Sequence, residues 1–292
     1  MLTMIDYVES KDGTLKYAFS NPAGAEFEAV FFKLPFQTTP RYSYTICVST
    51  QAGCALQCRF CATGLNGFTA NLSADEITEQ IQLIRTDLIK QNKINDQDHF
   101  HIALMGMGEP MLNYENVMIF YEKVQNTYPT LNKMSVSTVG IIPNILKLAN
   151  DPNHDLDLFV SVHSPYDTER LKIMPISKKY PLSQLMDACK IFAQKRQTFV
   201  NLSYLLIRDF NDSEQHAIDF MKLITPPHLF RVQLLLYNPI PELVYQRPLQ
   251  KKVDQFRDIL LKNNIEVMVV KSKGRDTDSG CGQLVRKKNG TA

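Results

Sequence analysis

Cys54, Cys58 and Cys61 crowd into one short segment with C-x3-C-x2-C spacing. Three thiolates on one tight loop can hold three irons of a 4Fe-4S cluster and leave the fourth without a protein ligand, open to a small molecule. A structural zinc site asks for a fourth ligand and usually paired C-x2-C units, and no histidine stands nearby at ligand spacing. Packing thiols are seldom clustered on a polar, glycine-containing loop. Two other cysteines read as chemistry. Cys281 stands between Gly280 and Gly282, open to approach as a reactive thiol, and Cys47 lies seven residues before Cys54. Cys189, in Leu185-Met186-Asp187-Ala188-Cys189, reads as a core residue.

Further chemistry-bearing groups stand at intervals along the chain. In Gly106-Met107-Gly108-Glu109-Pro110 the glycines permit close backbone approach to a ligand, and Glu109 can accept from an ammonium. Ser135-Val136-Ser137-Thr138-Val139-Gly140 and Ser161-Val162-His163-Ser164-Pro165 each offer small hydroxyls, for which helix capping is the plainer account. His163 reads equally well as a satisfied structural histidine, and Asn238-Pro239 as an ordinary turn.

The elements that position these groups alternate. β-rich apolar runs near 43–49, 100–106, 133–138, 156–162, 198–207 and 231–237 alternate with helical periods near 73–91, 114–126, 141–149, 181–195, 213–224 and 250–263. Ser73 to Glu76 forms a capping box ahead of the stripe Ile77, Ile81 and Ile84. Six such βα units are too few to close the eight-stranded barrel, so the fold class is α/β, a partial (β/α)6 barrel. Val267 to Lys271 reads as a further strand. Each motif named above falls just after a strand, where barrel active sites are built. Asp12-Gly13 and Asn21 to Gly24 are turn signals, making residues 1–40 a β-hairpin extension, 41–284 the barrel with its C-terminal loop, and 285–292 a tail.

Hydrophobic residues at 44% and charged residues at 21% describe an ordinary folded protein, and a net charge of +2 creates no global field towards nucleic acid or membrane. The first residues lack an export signal, and the longest apolar runs, such as Val232 to Tyr237, are too short to cross a bilayer. A cytoplasmic protein is expected, with no membrane association.

Taken in order, Cys47, C-x3-C-x2-C, GMGEP, STVG, SVH, the YNP turn and CGQL resemble the radical S-adenosylmethionine (SAM) RNA adenine methyltransferases, the RlmN and Cfr family, over Phe27 to Leu284. The resemblance implies that Cys54, Cys58 and Cys61 ligate a 4Fe-4S cluster, and that Gly108, Glu109, Ser137, Ser161, Val162, His163 and Asn238 contact SAM. It also implies the reaction, which uses two SAM per turnover. Cys281 takes a methyl from one SAM; a radical made from the second removes a hydrogen from that methyl, and the carbon adds to adenine carbon 2 or carbon 8 of rRNA or tRNA. Glu28 accepts the ring proton, and Cys47 releases the product by forming a transient disulfide with Cys281. An electron donor such as flavodoxin or ferredoxin and a monomeric state are further implications.

The chain departs from the family's pattern in places. The stretch before Cys47 is short, so a form lacking most of the helical N-terminal domain is expected. Ala70 stands where a basic residue is common, Ser203 where an acidic one is frequent, and Ser279-Gly280 replaces small apolar residues before Cys281. Lys271, Lys273 and Arg275, or Lys178 and Lys179, are the cations available to RNA phosphates. The alternatives are the same radical chemistry on a small molecule or nucleotide, and a non-catalytic iron–sulfur protein. Neither Cys47 nor Cys281 has a use in the latter.

Overall fold

The computed structural model describes residues 1–33 and 43–285; the boundary expected at 40/41 and the tail from 286 onward lie outside them. The N-terminal extension is a meander of three strands, β1 (Thr3–Glu9), β2 (Leu15–Ser20) and β3 (Glu26–Lys33), in place of a single hairpin. The turn between β2 and β3 is held by Asn21, whose Oδ1 accepts from the amides of Ala23 (3.1 Å) and Ala25 (2.9 Å).

The meander runs straight into the main sheet, because β3 pairs antiparallel with β4 (Tyr44–Cys47). A short ribbon follows, β5 (Gln51–Gly53) and β6 (Phe68–Asn71), with the four-residue helix α1 (Ala62–Leu65) between them. The alternation then proceeds as the pattern predicts: α2 (Ala74–Lys90), β7 (Phe100–Leu104), α3 (Tyr114–Thr127), β8 (Leu131–Thr138), α4 (Ile142–Ala149) and β9 (Leu156–Ser161). After α5 (Asp167–Ile173) and α6 (Leu182–Arg196) come β10 (Val200–Leu206), α7 (Glu214–Leu223), β11 (Phe230–Leu236), α8 (Gln250–Lys262) and β12 (Val267–Val270). The described strands give one ten-stranded sheet in the order β1-β2-β3-β4-β7-β8-β9-β10-β11-β12, parallel from β4 onward. The six expected parallel strands are all present, and β12 adds a seventh.

Consecutive parallel strands lie side by side, and right-handed crossovers then put their helices on one face. The register assigns the faces. Cys47 pairs with Ala103, Ala103 with Ser135, Ser137 with Phe159, Ser161 with Ser203, and Ser203 with Gln233. Paired residues project to the same side, so these groups, small or polar apart from Phe159, line the face turned away from the helices. The alternate residues Ile46, Ile102, Met134, Val136, Leu158, Val160, Leu202 and Leu234 are wholly buried beneath the helices. α2 shows how a helix meets this layer. Ser73 and Glu76 close the predicted capping box at 3.2 Å and 2.7 Å, and Ile77, Ile81 and Ile84 are fully buried.

Ile81→Ala should therefore cost about 2–5 kcal/mol by opening a cavity under the sheet, whereas Ser73→Ala should cost about 1 kcal/mol. Urea denaturation of the iron-free protein measures both; equal losses would contradict the packing described.

Candidate active site

The cysteine loop begins at a backbone collision that only glycine avoids. Gly53 has φ +74°, and a Cβ there would stand 2.0 Å from the carbonyl oxygen of Gly67. That approach lets the Cys54 amide donate to the same oxygen at 2.7 Å, closing the β5–β6 ribbon around the loop. Cys61 N donates to Cys58 O (3.1 Å), and Arg59 N donates to Ile173 O (2.9 Å). The three thiols share an apolar bed with Leu56, Phe60, Ile173, Met174, Phe210 and Tyr245. Burial pushes the Cys54 thiol up to about 12 and the Cys58 thiol well above its ordinary value, and neighbouring thiols of the trio add to both shifts. Among the described residues no three His, Cys, Asp or Glu side chains converge on a single-ion site. A four-iron cluster makes no such demand, because each thiolate takes its own iron. Three soft, histidine-free donors in a dry bed fit that group, whose positive charge removes the cost of the thiolates.

The strand-end motifs close round this loop. Gly106 and Gly108 press on Val48, Ser49 and Gln51 so tightly that a Cβ at either would lie within 2.7 Å of them. Glu109, 3% exposed, holds the turn beyond: its carboxylate accepts from Met111 N (3.1 Å) and Val139 N (2.9 Å), and its amide donates to Gln51 Oε1 (2.9 Å). Burial raises its carboxyl to about 7 against these stabilising hydrogen bonds. The Thr138 hydroxyl bonds to the same carboxylate; of its about four acceptor positions, one remains for an ammonium. Ser137 and Ser161 are half-buried on the polar face, and Val162 is fully buried. His163 takes φ +60°, and its ring is committed: Nδ1 accepts from Leu205 N (3.0 Å), and the ring meets Phe60 edge-on at 5.1 Å. Burial, and next the Arg170 charge, lower it to about 3, so it is a neutral imidazole that props the cysteine loop.

The C-terminal loop carries Cys281 to the same place, held from four sides. Asn238 Nδ2 donates to Cys281 O (3.2 Å), and Asn238 Oδ1 accepts from Arg247 (3.2 Å). Ala62 N, directly after Cys61, donates to Gly282 O (2.8 Å), and Thr63 Oγ1 donates to Leu284 O (2.6 Å). Val285 N donates to Glu28 Oε2 (3.0 Å), while Glu28 Oε1 lies 3.4 Å from Lys16 Nζ. The β1–β2 turn completes the hold through Asp12 Oδ2, which accepts from Gly274 N (3.1 Å), and through Asp276, which accepts from Lys11 N (3.0 Å). Glu28 is 3% exposed and projects to the same face as Cys47, since Val30, two residues on, pairs directly with Cys47. Burial raises Cys47 to about 12, and the nearby Cys281 thiol pushes the same way. Cys281 is exposed at the rim, yet surrounding atoms hold its thiol above the ordinary value, with Cys61 adding to the shift. Cys47, Cys281 and Cys61 thus share one electrostatic neighbourhood, although they are far apart in sequence.

Several site residues carry no sequence signal. Gln51 and Asn211 look like loop polar groups; Asn211 is fully buried and donates to His163 O (2.6 Å) and Leu205 O (2.7 Å). Arg170, in a charged run that reads as solvated, is 1% exposed. Of the cations considered for phosphates, Lys271 and Arg275 are exposed; burial lowers the pKa of Arg247, and the Arg275 charge adds to that shift. Lys178 ends a 3-10 turn (Pro175–Lys178), and Lys179 sits over the Tyr180 ring at 5.4 Å.

A parallel sheet with a three-thiol loop at the C-terminal end of its first parallel strand defines a class, and comparison with known proteins agrees. Residues 48–221 match the Radical SAM superfamily. A probable dual-specificity RNA methyltransferase RlmN of Pelotomaculum thermopropionicum is 38% identical over 96% of this chain and 73% of its own length. The dual-specificity RNA methyltransferase RlmN of Francisella tularensis is 35% identical over 94% of this chain and 73% of its own. A solved radical SAM methyltransferase from Sphaerobacter thermophilus superposes with a TM-score of 0.88 at 33% identity, covering 97% of this chain and 81% of that one. The chain belongs to the radical SAM superfamily and, within it, to the RlmN family of methyltransferases. It is an enzyme whose cofactors are a 4Fe-4S cluster and SAM.

Two outcomes follow from this geometry. Gly53→Ala should lose most of its bound iron after reconstitution, while Gly13→Ala, at a similar φ of +80° but with nothing within 4 Å, should keep it; iron retained by Gly53→Ala would show that the Gly67 contact does not shape the loop. In the iron-free protein Cys47 should be protonated at neutral pH, its pKa being about 12. Its alkylation rate, followed by mass spectrometry, should rise about tenfold per pH unit between pH 7 and 10.

Proposed function

We propose that the chain methylates an adenine ring carbon of RNA, carbon 2 or carbon 8, through a methyl carried on Cys281. The observation that carries this reading is the meeting of two thiols beside the cluster loop, Cys47 and Cys281, neither of which belongs to the C-x3-C-x2-C ligand set. A ring C–H neither loses its proton readily nor attacks a methyl cation, so direct displacement from SAM fails and a radical route is needed. The bound cluster supplies one electron that cleaves SAM and so generates the hydrogen-abstracting radical.

The chain's own groups account for the remaining steps. Cys281, as thiolate, displaces the methyl of a first SAM, forming a carbon–sulfur bond as S-adenosylhomocysteine leaves. Its loop, held by Asn238, Ala62 and Thr63, then presents that methyl to the polar face of the sheet. Once the carbon has joined the ring the adduct is a radical, and it becomes a closed-shell ring again by giving up one electron, equivalent to the one first spent on cleaving SAM, together with the ring proton, which Glu28 takes. Its carboxylate is bonded to Val285, four residues beyond Cys281, and shares a sheet face with Cys47. Cys47, as thiolate, attacks the Cys281 sulfur; the carbon–sulfur bond breaks, its carbon takes up a proton to complete the methyl group of the released base, and the disulfide left behind must be reduced before the next turnover. Gly108, Glu109, Ser137, Ser161, Val162, His163 and Asn238 line the SAM site. Glu109 is the ammonium acceptor, and His163 serves through its backbone and by supporting Phe60.

The substrate is rRNA or tRNA, and its target base must be unstacked to reach Cys281. The RNA methyltransferase relatives do not favour a small-molecule substrate. A recurring disulfide suits a reducing, cytoplasmic setting with a flavodoxin or ferredoxin as electron donor, and a monomer suffices. No helix among the described residues is long and apolar enough to cross a membrane.

Cys281→Ala should keep its iron–sulfur absorbance and lose methyl transfer, whereas Cys47→Ala should accumulate protein covalently joined to RNA through Cys281. Mass spectrometry after reaction with SAM and RNA reads both. Multiple turnover by either variant would overturn the mechanism.

A further inference from the structure

Arg170 is the largest of the fully buried side chains, and its charge is poorly compensated. One guanidinium nitrogen donates to Ser161 O (3.2 Å) and to Val162 O, while Nε has no partner. The nearest carboxylate, Asp167, is 3.9 Å away with its side chain half exposed to water. Two carbonyl groups could be held by any neutral donor, so the buried charge calls for a separate reason. Besides Asp167, the groups that feel it are Cys58, Cys189 and His163. His163 is neutral, and burial keeps the Cys189 thiol protonated. Cys58 alone becomes an anion in the working enzyme, as a ligand of the cluster. The backbone fixes this relation: α5, which bears Arg170, accepts from Arg59 of the cysteine loop through Ile173 O (2.9 Å), and Ile173 and Met174 pack around Cys58.

We propose that Arg170 is a positioning residue for the electron-transfer step, raising the reduction potential of the cluster by holding a buried positive charge behind Cys58. The inference rests on Cys54, Cys58 and Cys61 being the cluster ligands. Reduction moves one electron from an external low-potential reductant onto the cluster, leaving one more negative charge there and oxidising the donor by one electron. A fixed cation in a region of low dielectric stabilises that extra charge.

The test is a redox titration of reconstituted, SAM-free protein with dithionite and viologen mediators, followed by the paramagnetic resonance of the reduced cluster. Arg170→Met, with its iron content measured first, should show at least a tenfold smaller reduced-to-oxidised ratio at fixed potential, a fall of 59 mV for one electron. Arg170→Lys, which keeps the charge, should restore most of it. Asp167→Asn removes the counter-charge while keeping an oxygen for the Leu182 amide, and should shift the ratio the other way by a smaller factor. A fully loaded Arg170→Met with an unchanged midpoint would overturn the proposal. If that variant fails to load iron, Asp167→Asn decides: a raised midpoint supports the proposal, and an unchanged or lowered one overturns it. Loss of all iron from the unmodified protein's Cys58→Ala variant checks the ligand assignment separately.

Discussion

The hydrogen bond from Ala62 N to Gly282 O joins the residue after Cys61 to the residue after Cys281. Everything proposed for this site depends on that junction, because a methyl carried on Cys281 is useful only within reach of a radical made beside the cysteine loop. Proximity of this kind replaces a bimolecular encounter by a fixed geometry. A single amide contact would not hold a loop with so little regular structure. The Thr63–Leu284, Asn238–Cys281 and Glu28–Val285 hydrogen bonds add further constraints, each from a different element of the fold, and the β1–β2 turn adds its own through Asp12 and Lys11.

The second constraint is dryness. Burial disfavours the charged form of the site's titratable groups: His163 is lowered to about 3, Glu109 is raised to about 7, and Cys47 is raised to about 12. For Glu109 the sign matters. Its folded value lies above the ordinary carboxyl value of 4.5, so its contribution to stability is fully present below that value and is lost as pH rises through 7. Near neutrality the fold therefore bears the cost of a carboxylate with no cation beside it, and an ammonium bound there would recover that cost. The proposed role of Glu109 as acceptor for the SAM ammonium would draw on that recovered cost. Arg170 applies the same logic with the opposite charge.

The succession of strands and helices was legible in the sequence because short β-rich apolar runs are separated by longer segments with a 3.6-residue stripe. Ile102, Val136 and Val160, from three of those runs, form part of the layer beneath the helices. Cys54, Cys58 and Cys61 were legible because their spacing is local. What periodicity could not show was any relation between distant loops. The β5–β6 ribbon is too short to carry a pattern, and its geometry depends on the contact between Gly53 and Gly67. Arg170 was missed because a buried arginine inside Asp167-Thr168-Glu169-Arg170-Leu171-Lys172 has the same composition as a solvated helix face.

Glu28 is the sharpest case. From sequence it is one residue of an accessory hairpin, and a polar strand face in water would explain it equally well. In the fold β3 is covered on both sides, and the carboxylate lies between Lys16 of β2 and the amide of Val285. The β1–β2 turn meanwhile grips Gly274 and Asp276. The N-terminal meander is thus the wall against which the Cys281 loop is braced, and removing it would leave that loop held by Asn238, Ala62, Thr63 and the Gln283 to Pro239 O hydrogen bond. The charged pair Lys16–Glu28 adds specificity to that bracing. A buried carboxylate that accepts from both a lysine and a backbone amide has few other places to go, so it fixes where the loop docks as well as how firmly. A residue that could serve as a proton acceptor is, on this view, also the one that sets the position of the sulfur it serves.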